Sequence, residues 1–81
     1  MNDKIIPKGI KAVDAKAIGA HVRSRRKAMG LTQKRAAGIC NVGVRFISDL
    51  ENGKPALHLG KAIHVLRAFG IDLYMIDRED A

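Results

Sequence analysis

Thr32 to Gly53 reads TQKRAAGICNVGVRFISDLENG. Thr32 is a good helix N-cap, because its hydroxyl can accept a bond from a free N–H of the first turn. The helix it opens is expected to run to about Cys40, with Ala36, Ala37 and Cys40 inward. Adjacent alanines suit helices that cross steeply at close range, and a Leu at Ala37 would wedge them apart. Asn41 tolerates the left-handed backbone of a tight turn better than other residues with side chains. Val42 then plugs that turn into the core. A second helix is expected over roughly Gly43 to Asn52. Phe46, Ile47 and Leu50 fall at helical spacing and face inward, which leaves Val44, Arg45, Ser48 and Asp49 on the other face. Gly53 ends this helix, and Pro55 prevents its continuation.

Outward from this pair, a first helix should start at the N-cap Asp14 and run to Met29, stopped by Gly30. Its apolar face is Ile18, Val22 and Met29, with Ala15 and Ala28 nearby. A last helix spans about Leu59 to Phe69, with Leu59, Ile63, Leu66 and Phe69 inward, and Gly70 stops it. Ile71 to Ile76 reads IDLYMI, where Ile71, Leu73 and Met75 alternate with Asp72, Tyr74 and Ile76. That period of two predicts a strand. A lone strand leaves both edges unpaired. Pairing with its copy across a two-fold axis is the simplest remedy; the alternative is an extended tail lying on its own helices. The resulting fold class is all-α, with four to five helices and a short C-terminal strand. It divides into a basic arm over 1–13, broken by Pro7 and Gly9, a helical domain over 14–70 and a dimerisation strand over 71–77.

Eighty-one residues make one domain, whose stability alone is expected to be marginal. A partner subunit would help. An apolar fraction of 47% suffices for a small core. No apolar run is long enough to span a bilayer, and the N-terminus lacks the apolar core of a signal peptide. One cysteine cannot form an internal disulfide, so a reducing, cytoplasmic location is the default. The formal charge of +7 is lopsided. Residues 1–35 hold ten Lys/Arg and two acids, giving +8, while residues 36–81 hold five and six, giving −1. Arg23, Arg25, Arg26 and Lys27 cluster beside the helix pair. A basic half with a neutral-to-acidic tail suits a polyanion on one side and a protein on the other.

The stretch resembles the helix-turn-helix of the phage repressor and Cro family, also called the XRE family. The resemblance rests on Thr32-Gln33, Ala36-Ala37, Val42 and Ile47-Ser48-x-x-Glu51-x-Gly53, without a gap, and extends from Ile18 to Ile76. Asn41 stands where the family usually has Gly. The flanking segments are similar to the HipB-type antitoxin branch, which carries a short strand after the last helix. The resemblance implies a homodimeric repressor of double-stranded DNA at an inverted-repeat operator. In its more specific form it implies an antitoxin that binds a HipA-like serine/threonine kinase and represses the shared operon. The short remainder beyond the strand leads to the expectation that such a kinase grips the folded body or the N-terminal arm.

In this arrangement the second motif helix enters the major groove, with residues near its start reaching base edges. The candidate base-reading residues are Gly43, Val44, Arg45, Ser48 and Asp49. The Arg45 fork matches guanine O6 and N7, with a phosphate contact as its alternative. Val44 suits a thymine methyl, and Gly43 allows close approach. Asp49 repels phosphate, so it either accepts from cytosine N4 or orients Arg45 as an i, i+4 partner. The family uses Gln33 on a backbone phosphate, at the positive end of its helix. Further phosphate-binding candidates are Thr32, which is mainly a cap, Lys34, Arg35, Asn52 and Lys54, with Lys16, Arg23 and Lys27 weaker. The resemblance also implies a structural ion pair between Arg26 and Glu51. The dimer interface is expected to use Ile71, Leu73, Tyr74, Met75 and Ile76.

Other chemistries find no carrier. Cys40 falls at a core position. His21, His58 and His64 lack the i, i+4 spacing of a helical metal pair, so no metal and no cofactor are expected. No carboxylate pair, phosphate-binding loop or nucleophile-base set stands out, and the chain does not read as an enzyme. Three aromatics poorly support stacking on single-stranded RNA. A membrane-surface helix would expose the apolar stripe of the first helix, which the core needs. An interaction adaptor that kept the fold without DNA binding is the competing class.

Overall fold

The computed structural model describes residues 9–78. Residues 1–8 of the basic arm and residues 79–81 lie outside the described residues. Four helices are formed among the described residues: α1 Ala15–Ala28, α2 Gln33–Cys40, α3 Val44–Glu51 and α4 Leu59–Ala68. Each begins at a residue whose chemistry selects it, except α3. Asp14 Oδ1 accepts from the Ala17 N–H at 2.8 Å. Thr32 Oγ1 accepts from the Arg35 N–H at 3.1 Å. His58 Nδ1 accepts from the Lys61 N–H at 3.1 Å, a cap the sequence reading passed over. Gly43 caps α3 with no side-chain bond. Asn41 closes α2 with φ 57° and ψ 46°, the left-handed turn expected of it.

The core is one cluster drawn from all four helices and their ends. Val22, Ala36, Ala37, Cys40, Ile47, Leu50, Val65, Leu66 and Phe69 are buried, with Ile18, Val42, Phe46, Leu57, Ala62 and Ile71 packed against them. α1 approaches α3 closely. Gly19 faces the end of α3 so tightly that a Cβ there would stand 2.3 Å from the Leu50 carbonyl oxygen. A mid-helix glycine costs about 1 kcal/mol of helix propensity relative to alanine. Here it lets two backbones meet.

Two residues expected inside are outside. Met29 follows the last turn of α1, and the turn at Gly30 (φ 73°) carries the chain away and half-buries Leu31 instead. Leu59 is 70% exposed. Burial rises along α4, from Leu59 through the half-buried Ala62 and Ile63 to Val65, Leu66 and the C-cap Phe69, so α4 meets the core mainly with its later turns. Val65 takes the central place that the sequence reading did not assign.

The expected strand over 71–77 is not formed within the chain. Ile71 is half-buried on the core, and residues 72–78 run on exposed, without a ladder partner among the described residues. Alternation sets which side chains share a face, but a strand exists only when a neighbour completes its hydrogen bonds.

Candidate DNA interface

The back of α3 is anchored and its front is free. Ile47 and Leu50 lie in the core, while Val44 is 49% exposed and the Arg45 side chain 87% exposed. Gly43 has φ −71° and ψ 150°, a backbone any residue adopts, and a Cβ there would meet nothing. Its small size therefore serves no packing need among the described residues. Ser48 is half-buried, with Asn52 Nδ2 3.5 Å from its hydroxyl, the outer limit of a hydrogen bond. Asp49 is half-buried between two cations. Arg45 Nε lies 3.6 Å from one carboxylate oxygen and Lys54 Nζ 3.6 Å from the other. The Arg45 contact has the i, i+4 spacing.

Behind this face lies a buried polar node. Arg26 donates from Nε to Glu51 Oε2 at 2.6 Å and from Nη2 to Glu51 Oε1 at 3.0 Å. Its Nη1 donates to the Leu31 carbonyl at 2.8 Å. Gln33 Nε2 donates to Glu51 Oε1 at 3.1 Å. Burial pushes the Glu51 carboxyl up, but the bonds from Arg26 and Gln33, with the charges of Arg26 and Arg23, outweigh it and hold the group below its ordinary pKa. The bond to Glu51 raises Arg26, against the opposing cost of its burial. Arg26 occupies the stripe of α1 that also carries Gly19 and Val22. One carboxylate thus joins α1, the first residue of α2 and the last of α3.

The remaining phosphate candidates divide by position. Thr32 uses its hydroxyl as a cap acceptor. Lys34 and Arg35 are exposed on α2, Asn52 is the exposed C-cap of α3, and Lys54 is exposed in the loop that follows. Arg23, Lys27 and Lys16 are exposed on α1. The charge of Arg23 adds to those effects that lower the pKa of Glu51. Two of the four clustered bases have protein partners, so the cluster is a weaker polyanion signal than its sequence suggests. Arg26 is buried against Glu51, and Arg25 Nε donates to the Phe69 carbonyl at 2.9 Å, tying α1 to the end of α4. His64 Nε2 donates to the Cys40 carbonyl at 2.8 Å, tying α4 to the end of α2. Both ties join residues far apart in the chain, 44 and 24 positions, so local spacing carries no signal for them. Of the interface candidates, Leu73, Tyr74, Met75 and Ile76 are exposed, and Ile71 rests on the core.

A model of the helix-turn-helix family matches residues 22–76, which span α2, the Asn41 turn and α3 with their supports. The chain belongs to the helix-turn-helix family. It is 48% identical over 56 residues to a protein of Sinorhizobium fredii named an uncharacterized HTH-type transcriptional regulator, y4mF. The match covers 69% of this chain and 74% of that relative. The family is one of DNA-binding transcription regulators, and the elements that define it here are the ones that present Val44 and Arg45 outward. No helix among the described residues is long and apolar enough to cross a membrane.

Proposed function

We propose that this helix-turn-helix chain is a sequence-specific transcriptional repressor that binds an inverted-repeat operator in double-stranded DNA as a homodimer. The observation that carries the reading is the two-sidedness of α3, whose Ile47–Leu50 side is sealed while Val44 and Arg45 project. Such a helix fits the major groove, with Arg45 on guanine and Val44 beside a thymine methyl. Gln33, at the start of α2, and Lys54, in the loop after α3, suit phosphates of the DNA backbone. The name of the Sinorhizobium fredii relative supports transcriptional regulation.

Dimerisation is assigned to 71–77. Leu73, Tyr74, Met75 and Ile76 form a contiguous apolar run in water, which a second copy of the same segment would cover while completing its backbone bonds. In this division 1–13 is a basic arm and 14–70 the DNA-binding body. The finer antitoxin reading, with a HipA-like kinase as partner, rests on the resemblance of this terminal segment to the HipB branch. Co-purification of an encoded neighbouring kinase tests it, and a neighbourhood without a kinase gene removes it.

A salt titration against an operator-bearing duplex, with random duplex as competitor, tests the main reading. If three or four cations per protomer neutralise phosphates, a dimer should show a slope of log K against log salt of roughly −5 to −7. A chain that binds no duplex, or binds all sequences alike, is an adaptor or a nonspecific polycation instead.

A further inference from the structure

We propose that Glu51 is a positioning residue for DNA-backbone binding, acting through Gln33. The proposal rests on the reading of Gln33 as a phosphate contact. Gln33 is the first residue of α2, where the helix dipole favours an anion. A free glutamine at such a site has several rotamers, most of which aim its amide away from any one phosphate. Here one N–H of the Gln33 amide is committed to Glu51 Oε1 at 3.1 Å. An amide nitrogen carries two hydrogens, so the second remains available to an anion. Committing the first fixes the plane of the group and the direction of the second.

The anchor itself is buried and held by several bonds. The Glu51 side chain is 1% exposed and is gripped by two Arg26 bonds at 2.6 and 3.0 Å. Charge-assisted bonds of this kind are short and strongly directional. Arg26 is in turn bonded to the Leu31 carbonyl at 2.8 Å, immediately before the α2 cap. The node therefore does more than hold α1 to α3. It converts the buried ion pair into a preset donor at the protein surface, so that Gln33 loses less side-chain freedom on meeting DNA.

The test separates positioning from mere stability. Replacing both ion-pair residues by similar-sized apolar groups avoids leaving a buried charge unpaired. R26M/E51M then frees Gln33, whereas R26M/E51Q lacks the ion pair but still offers Gln33 an acceptor. Operator affinity is measured for these variants, for Q33A and for the Q33A combinations, together with urea stability. Positioning predicts that R26M/E51M loses several-fold in affinity, that adding Q33A costs little more, and that R26M/E51Q recovers much of the loss. A helix tie alone would give the two double variants the same affinity, and Q33A would then cost its full amount in every background. That additive pattern overturns the proposal.

A measurement on the free wild-type protein needs no variant to fold. Gln33 is the only glutamine in the chain, so its side-chain amide signal in nitrogen-15 NMR is unique among glutamines. A rigid, shifted pair of protons supports the restraint, and an amide as mobile as a solvated glutamine overturns it. Wild type that selects no duplex would instead refute the DNA-binding reading, and with it the phosphate role of Gln33, even if the amide proved rigid.

Discussion

Replacing Gly19 by alanine should destabilise the fold although it improves the helix. The new Cβ would stand 2.3 Å from the Leu50 carbonyl oxygen and 2.8 Å from that of Glu51. Both obstacles are backbone, so no side chain can swing aside. Restoring ordinary contact at 3.4 Å requires α1 and α3 to part by about 1.1 Å. The 2.6 Å bond from Arg26 to Glu51 crosses the same interface and would stretch toward about 3.7 Å, beyond a hydrogen bond. Overpacking alone costs about 1–3 kcal/mol. Partial loss of a buried pair, whose full disruption costs about 3–5 kcal/mol, adds to it. Against these stands about 1 kcal/mol of helix propensity gained. The expected net loss is about 2–4 kcal/mol, a large share of what a small domain possesses. Gly38 is the control. It lies within α2, and a Cβ there meets nothing among the described residues, so Gly38→Ala should stabilise by about 0.5–1 kcal/mol. Urea unfolding followed by far-UV circular dichroism, at one fixed protein concentration, reads both. A Gly19→Ala variant at least as stable as wild type would refute the claim that α1 and α3 meet at backbone distance.

Arg45→Ala should relax preference at one operator base pair, by about 1–3 kcal/mol of discrimination, while sparing nonspecific binding. Equal weakening on all duplexes in a competition series would reassign Arg45 to the phosphates. Leu73→Asp should yield monomers by sedimentation and a large loss of operator affinity, and an unchanged dimer would place the interface elsewhere. The pH dependence of stability should carry the mark of Glu51. Its folded pKa lies below the ordinary value, so its contribution is complete above about pH 4.3 and is lost as pH falls through the lowered folded value. One such proton steepens the loss by at most about 1.4 kcal/mol per pH unit. Urea midpoints between about pH 6 and 3 should therefore fall more steeply for wild type than for R26M/E51M, and parallel curves would mean that Glu51 titrates alike folded and unfolded.

Much of this molecule is written in short-range signals. Asp14 and Thr32 cap their helices because a side-chain oxygen reaches an N–H three residues on. Gly30, Gly53 and Gly70 stop helices with φ between 73° and 75°, where a Cβ is disfavoured. The alanine pair and the Ile47–Leu50 face follow from helical spacing, so the helix-turn-helix and its outward residues are legible from Thr32–Gly53 alone. The Arg26–Glu51 pair spans 25 positions and came from resemblance, not spacing. The contact of Gly19 with Leu50, the grip of Glu51 on Gln33, and the ties from Arg25 and His64 were decided only when the helices crossed. So were the outward placements of Met29 and Leu59. Periodicity assigns a residue to a face, but what that face meets depends on the angle and distance between elements, and those follow from packing the whole core at once.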